Sequence, residues 1–262
     1  MLFRSIRTLG QFEISARDAP VEFSGKGPGR PAELLKVLLS LGAQGVRIYQ
    51  LSDALWPHMD ADYAHKSFTA ALHRLRRLLD DDEALVLRDA RLSLHPEIVW
   101  TDTWALDQVL AEIENSTRLP SARKHPDPAL QACVQEALSL YTGPFLPDES
   151  DQPGYIAFRE QLRARLLRCV ARAAQHWELA GDFDTAADFY LQMLQADSLF
   201  EAPYRNLMLC YQRHGDLDAA REVYTRLRTT LSMRLKSMPS AQTQALYAAL
   251  EKPDAPTGNG RG

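Results

Sequence analysis

AHKSFTAALHRLRRLL, residues 64–79, is the stretch on which the reading of this chain turns. Wound as an α-helix at about 100° per residue, it puts Phe68, Leu72, Leu75 and Leu79 on one stripe. The opposite face carries Lys66, Ala70, His73 and Arg77, with Thr69 and Arg74 on its flanks and His65 at its start. The segment has four Lys/Arg, two His and no carboxylate. An apolar stripe backed by a cationic face suits a helix that lies in a DNA groove. Taken alone it equally suits the solvated face of an ordinary amphipathic helix. Arg76 lies about 80° from the apolar stripe. Two roles stay open for it: a partner for a carboxylate inside the domain, or a phosphate contact.

The flanks separate the two readings of the helix. Before it, Ile6, Leu9, Phe12, Ile14, Val21 and Phe23 predict short strands, broken by the turn signals Gly10 and Asp18-Ala19-Pro20. The glycine-rich GKGPGR, residues 25–30, lacks the GK[ST] that a phosphate loop needs. A first helix is predicted from Pro31 to about Leu41, with Leu34, Leu35, Leu38 and Leu41 inward. A second covers Gln50 to Trp56 and stops at Pro57. The loop from Pro57 to Tyr63 leads into the basic helix. After that helix, Leu85-Val86-Leu87 and Leu92-Ser93-Leu94 flank Arg88-Asp89-Ala90-Arg91, a tight hairpin with Arg88 and Arg91 near its tip. Strands, three helices and a basic hairpin make a winged helix-turn-helix.

Composition bounds the alternatives. The chain has 262 residues, 45% hydrophobic and 24% charged, which is ordinary globular material with room for two domains. No apolar run reaches the roughly 18 residues that a membrane span needs. The formal net charge is −4, so affinity for nucleic acid must come from the placement of charge. The acids gather elsewhere, as in Asp80-Asp81-Asp82-Glu83, directly after the basic helix. Cys133, Cys169 and Cys210 are far apart, each in a helical pattern, and read as buried free thiols. The histidines have no HExxH or CxxC companion, so no metal and no cofactor is expected. No GxSxG elbow occurs, and no enzyme activity is expected. Trp56, Trp100 and Trp104 read as packing residues.

Residues 114–128, ENSTRLPSARKHPDP, have the composition of a linker or long loop. From Ala129 to about Leu250 the pattern is helical, and 251–262 is expected to be a disordered tail. The helical half repeats. Trp177, Gly181, Asp182, Asp184, Ala186 and Tyr190 stand 34 residues before Tyr211, Gly215, Asp216, Asp218, Ala220 and Tyr224. That is the tetratricopeptide period, two antiparallel helices per unit.

Four stretches carry a resemblance to a known family: LSDALWP at 51–57, ALHRLRRLL at 71–79, VWTDTWAL at 99–106 and LYTGPFLPDE at 140–149. The chain resembles bacterial regulators that join an OmpR-type winged helix to a bacterial transcriptional activator domain, the antibiotic regulatory protein-like group. It departs from them where a tryptophan usually follows the PFLPDE-like segment; Gly154-Tyr155-Ile156 stands near that place. The resemblance implies a mainly α fold with a small β component: an OmpR/PhoB-like winged helix over 1–113, the linker over 114–128, and a tetratricopeptide-like superhelical domain over 129–250. It implies a cytoplasmic activator that binds direct repeats in double-stranded DNA, as a side-by-side homodimer, and recruits RNA polymerase. Expected DNA-binding residues are His65, Lys66, Thr69, Ala70, His73, Arg74, Arg77, Arg88 and Arg91. The expected polymerase-contact loop is Pro57, His58, Met59, Asp60 and Asp62. A fragment ending near Ile113 is expected to bind DNA alone. Two other readings stay open: a helical protein-interaction adaptor, and the DNA-binding output piece of a larger signal-sensing ATPase regulator.

Overall fold

The computed structural model describes residues 4–16, 19–21, 29–118, 127–149 and 153–251. Most of the GKGPGR turn, Phe23, the middle of the expected linker and the expected tail beyond Glu251 lie outside the described residues. The chain divides into two compact units. One is Met1–Gln108 with Gly143–Arg163; the other is Val109–Thr142 with Ala164–Gly262. The first unit is thus discontinuous in the chain: residues 143–149 and 153–163 group with the N-terminal residues.

In the first unit, β1 (Arg4–Arg7) pairs with β2 (Glu13–Ala16), and β2 with β3 (Ala19–Pro20), both antiparallel. On its other side β1 pairs in parallel with β7 (Val99–Thr101). Three helices follow the first strands: α1 (Gly29–Ser40), α2 (Ile48–Leu55) and α3 (Ala61–Leu79). Leu34, Leu35 and Leu38 of α1 are fully buried, as the spacing predicts. Leu41 is exposed instead, because the helix has ended at Ser40 and Leu41 sits in the turn beyond it. A second sheet has the order β4-β6-β5, from β4 (Val46–Arg47), β5 (Leu85–Arg88) and β6 (Arg91–Leu94). A short 3₁₀ turn, Asp82–Ala84, joins α3 to β5. The Asp102 carboxylate accepts from the Leu9 and Thr103 amides, both at 2.8 Å, from the Thr8 amide at 2.5 Å and from the Thr8 hydroxyl at 2.9 Å. It joins the start of α4 (Asp102–Ser116) to the end of β1.

Residues 143–149 and the start of α6 (Pro153–Ala180) complete this unit. Phe145 is fully buried and forms an antiparallel bridge with Leu9. Tyr155 belongs to the Gly154-Tyr155-Ile156 stretch at the start of α6. It is buried, with its ring edge-on to Phe145 at 6.1 Å. Burial pushes its phenol well above the ordinary tyrosine range.

The second unit holds α5 (Pro128–Leu140), most of α6, α7 (Phe183–Ala196), α8 (Glu201–His214), α9 (Leu217–Leu235) and α10 (Ala241–Leu250). Its repeat is visible atom by atom. Gly181 and Gly215 have φ of 83° and 88°. The Asp182 and Asp216 amides donate 2.9 Å bonds to the carbonyls of Trp177 and Tyr211. Their side chains then cap α7 and α9, accepting from the Thr185 amide at 3.1 Å and the Ala219 amide at 2.9 Å. Each corner thus ends one helix with a left-handed glycine and starts the next with an aspartate. Ala186 and Ala220 are fully buried where the helices approach. Cys169 and Cys210 are buried free thiols, and burial pushes them up to about 11 and about 12. Cys133 is only half-buried, on α5.

Candidate nucleic-acid interface

Helix α3 begins three residues before the basic stretch. Asp60 caps it, its Oδ1 accepting from the Asp62 and Tyr63 amides, each at 3.0 Å. Asp62 therefore sits in the first turn of the helix and not in the preceding loop. The helix ends at Asp80, whose φ of 50° is left-handed. Phe68, Leu72, Leu75 and Leu79 are buried against the first unit. His65, Lys66, Thr69, Ala70, His73, Arg74 and Arg77 are all exposed, so the expected face is brought together on one side. The Thr69 hydroxyl is bonded back to the His65 carbonyl at 3.0 Å. Arg76 turns inward and donates to the Leu85 carbonyl at 3.1 Å. It ties the helix to β5 through a backbone oxygen and not through a carboxylate.

The opposite end of α3 is held by Arg4, a buried cation on β1. Its Nε donates to the Leu79 carbonyl and its Nη2 to the Asp80 carbonyl at 2.5 Å. Asp80 and Asp81 carboxylates stand 3.8 and 3.9 Å from the same guanidinium. Two members of the acidic cluster are thereby turned toward the domain's own arginine, at the helix end far from His65. A cation on free carbonyls at a helix C-terminus also suits the helix dipole.

The wing is a two-residue hairpin. Asp89 and Ala90 both have positive φ, 48° and 56°, as a type I′ turn requires. Arg88 pairs directly with Arg91, and Arg91 pairs on its other side with Arg47. Directly opposed residues of antiparallel strands point to the same face. Arg47, Arg91 and Arg88 therefore form one exposed row across three strands. Arg91 is steadied by a 2.9 Å bond to the Gly45 carbonyl, and the Arg47 guanidinium lies 5.8 Å from the Tyr49 ring. Arg47 has no signal in the sequence: β4 is two residues long, and its register with β6 arises only on folding.

Between the wing tip and the start of α3 lies an open cleft of about 560 Å³. It brings His65 and Arg91 together with Pro57 and Met59 of the loop. Exposed Tyr49 and Met59 stand on its walls. His58 and Asp62 are exposed nearby in sequence, while Asp60 is engaged by the cap.

Residues 106–251 match the bacterial transcriptional activator domain family, which is more than half of the chain. No curated protein sequence matches the chain. A solved structure, Mycobacterium tuberculosis EmbR in complex with low affinity phosphopeptide, is similar with a TM-score of 0.56 at 18% identity. The similarity covers 95% of this chain and 65% of that one. At that identity it shows the fold: a winged helix joined to a tetratricopeptide-like helical domain, mainly α with a small β component.

Proposed function

Because the chain belongs to the bacterial transcriptional activator domain family, and so to the transcription regulators, we propose that it reads double-stranded DNA with α3 and the wing and recruits RNA polymerase as an activator. The observation that carries this is the pairing of two cationic surfaces in one unit. One is the acid-free face of α3 from Lys66 to Arg77. The other is the Arg47–Arg91–Arg88 row. Like charges set directly opposite one another destabilise a sheet. A phosphate backbone along the row removes that repulsion and releases counterions.

In this reading α3 enters the major groove. Lys66, Arg74 and Arg77 take phosphates or guanine edges, with His65, Thr69 and His73 beside them. Ala70 is small and lets the helix approach the bases closely. Arg88, Arg91 and Arg47 lie along the neighbouring minor groove. Two chains bind side by side on a direct repeat in this reading. The loop Pro57, His58 and Met59, with Asp62 in the first turn of α3, offers RNA polymerase a contact, and Asp60 shapes it. The helical half supplies further protein contacts. In this reading the protein works on the chromosome, in the bacterial cytoplasm. No described helix is long and apolar enough to cross a membrane.

The test is a mobility shift of the full chain against a genomic fragment library, repeated over a salt series. Specific retardation, weakening with salt by about 0.9 log units per log unit of salt for each phosphate contact, supports the reading. A chain that retards no fragment in low salt overturns it and leaves a protein-interaction adaptor, which exposed Tyr49, Met59 and Tyr63 beside the loop favour.

A further inference from the structure

The first unit contains a segment that chain order assigns to the other half. Residues 143–149 lie inside the region that matches the activator domain, yet they pack on residues 8–10, directly after β1, and on α1. The Gly10 amide donates to the Pro144 carbonyl at 3.0 Å, and the Leu146 amide donates to the Thr8 carbonyl at 2.8 Å. Phe145 is fully buried between these bonds. Leu146, buried with a left-handed φ of 46°, turns the chain sharply after it. The first turns of α6 clamp this corner. Arg159 donates from Nε to the Phe145 carbonyl at 2.9 Å and from Nη2 to the Leu146 carbonyl at 2.8 Å. The Phe158 ring stands edge-on to Phe145 at 4.7 Å.

A buried cation completes the arrangement. Lys36 of α1 is 3% exposed. Its Nζ lies 4.3 Å from the Phe12 ring centre and is bonded to the Glu149 carboxylate. A buried ammonium that loses its carboxylate is strongly unfavourable, whereas replacing both partners with apolar groups is often neutral. Helix α1 in turn packs against α3, the candidate recognition helix.

We infer that residues 143–149 and the start of α6 form a positioning strap, which seats β1 and α1 behind α3 and makes DNA binding depend on a segment of the activator domain. This replaces the expectation that a fragment ending near Ile113 is a sufficient DNA-binding module. Such a fragment leaves Leu9 without Phe145 and Lys36 without Glu149. The DNA consequence rests on the reading under Proposed function; the seating of α1 and β1 does not.

The experiment uses the full chain and four variants: Phe145→Ala, Glu149→Met, Lys36→Met, and the double Lys36→Met with Glu149→Met. Amide hydrogen exchange is read in β1, α1, α8 and α9, and affinity is read on a fragment retarded by the parent chain. Phe145→Ala and Glu149→Met are expected to lower protection in β1 and α1 at least tenfold while α8 and α9 change less than twofold. DNA affinity is expected to fall at least fivefold in both. The double variant is expected to recover α1 protection to within threefold of the parent, an outcome that a mere loss of packing at position 149 does not produce. Unchanged protection in β1 and α1 overturns the inference, as does equal loss in α8 and α9. If the parent retards no fragment, the DNA reading fails, and the exchange pattern still decides the strap.

Discussion

Arg4 on β1 donates to the main-chain oxygen of Asp80, the left-handed residue that ends α3, at 2.5 Å. The same guanidinium holds the Leu79 carbonyl. The candidate DNA-reading helix is thus tied at its C-terminus to an inner strand of the N-terminal sheet. A hydrogen bond to a charged group contributes about 1.5–3 kcal/mol, and a cation at a partly buried helix C-terminus up to about 2 kcal/mol. Arg4→Met is expected to lower the stability of the first unit by about 2–3 kcal/mol in urea unfolding. Arg4→Lys is expected to recover less than half of that, since an ammonium lacks the fork that spans two carbonyls. Full recovery by lysine shows that charge alone is responsible.

The outward face of α3 gives a salt-dependent prediction. Lys66, Arg74 and Arg77 are exposed and face away from the core. Each alanine substitution that removes a phosphate contact is expected to lower the slope of log K against log salt by about 0.9. A contact to a guanine edge instead costs roughly 1–3 kcal/mol at one base position. A folded triple variant with unchanged binding removes α3 from the interface.

The arginine row predicts effects of opposite sign. Arg88 faces Arg91, which faces Arg47. Arg88→Gln relieves one like-charge pair and is expected to stabilise the unit by about 0.2–1 kcal/mol at low salt. The same substitution is expected to weaken DNA binding and to reduce footprint protection at the flank of each site. Thermal melts at two salt concentrations and footprinting check both halves. If Arg88→Gln destabilises the protein, the row is not under repulsion.

In the helical unit, Ala220 is fully buried at the close approach of α8 and α9. Ala220→Leu is expected to overpack this position by about 1–3 kcal/mol. Hydrogen exchange in α8 and α9 reads the effect. Unchanged protection there shows that the helices part without penalty.

Acid is expected to weaken the same unit through Glu114. Its hydrogen bond from Arg165, with Nε 3.1 Å from Oε1, holds the carboxyl below the usual glutamate range. A group with a depressed folded pKa binds fewer protons folded than unfolded, so its contribution is present above the unfolded value. That contribution is lost as pH falls through the folded value. The loss of stability between pH 7 and pH 3 is expected to be smaller in Glu114→Gln than in the parent. An identical pH profile removes the pair from the acid response.

Much of this was legible in the chain because the interactions involved are local. The corners at Gly181 and Gly215 close through bonds reaching five residues back, and the aspartate caps reach three residues forward. A 34-residue sequence period therefore becomes a 34-residue structural period. The α3 face followed from helical periodicity alone, since Phe68 and Arg77 take opposite sides of any helix wound from these residues. The start of α3 at Ala61 and the loss of Asp62 from the loop followed from the Asp60 cap, a local signal that the apolar stripe hid. What lies beyond those ranges needed the folded chain. Arg47 joins the wing row through a strand register 44 residues away in sequence, with Arg91. Arg4 reaches Leu79 across 75 residues, and Glu149 reaches Lys36 across 113. By itself, the sequence determined the helices, their faces, the repeat and the hairpin, because each is set by contacts within a few residues. Only the tertiary structure decided which buried cation meets which carboxylate and that the strap belongs with β1 and α1, because those pairings depend on how distant segments exclude water together.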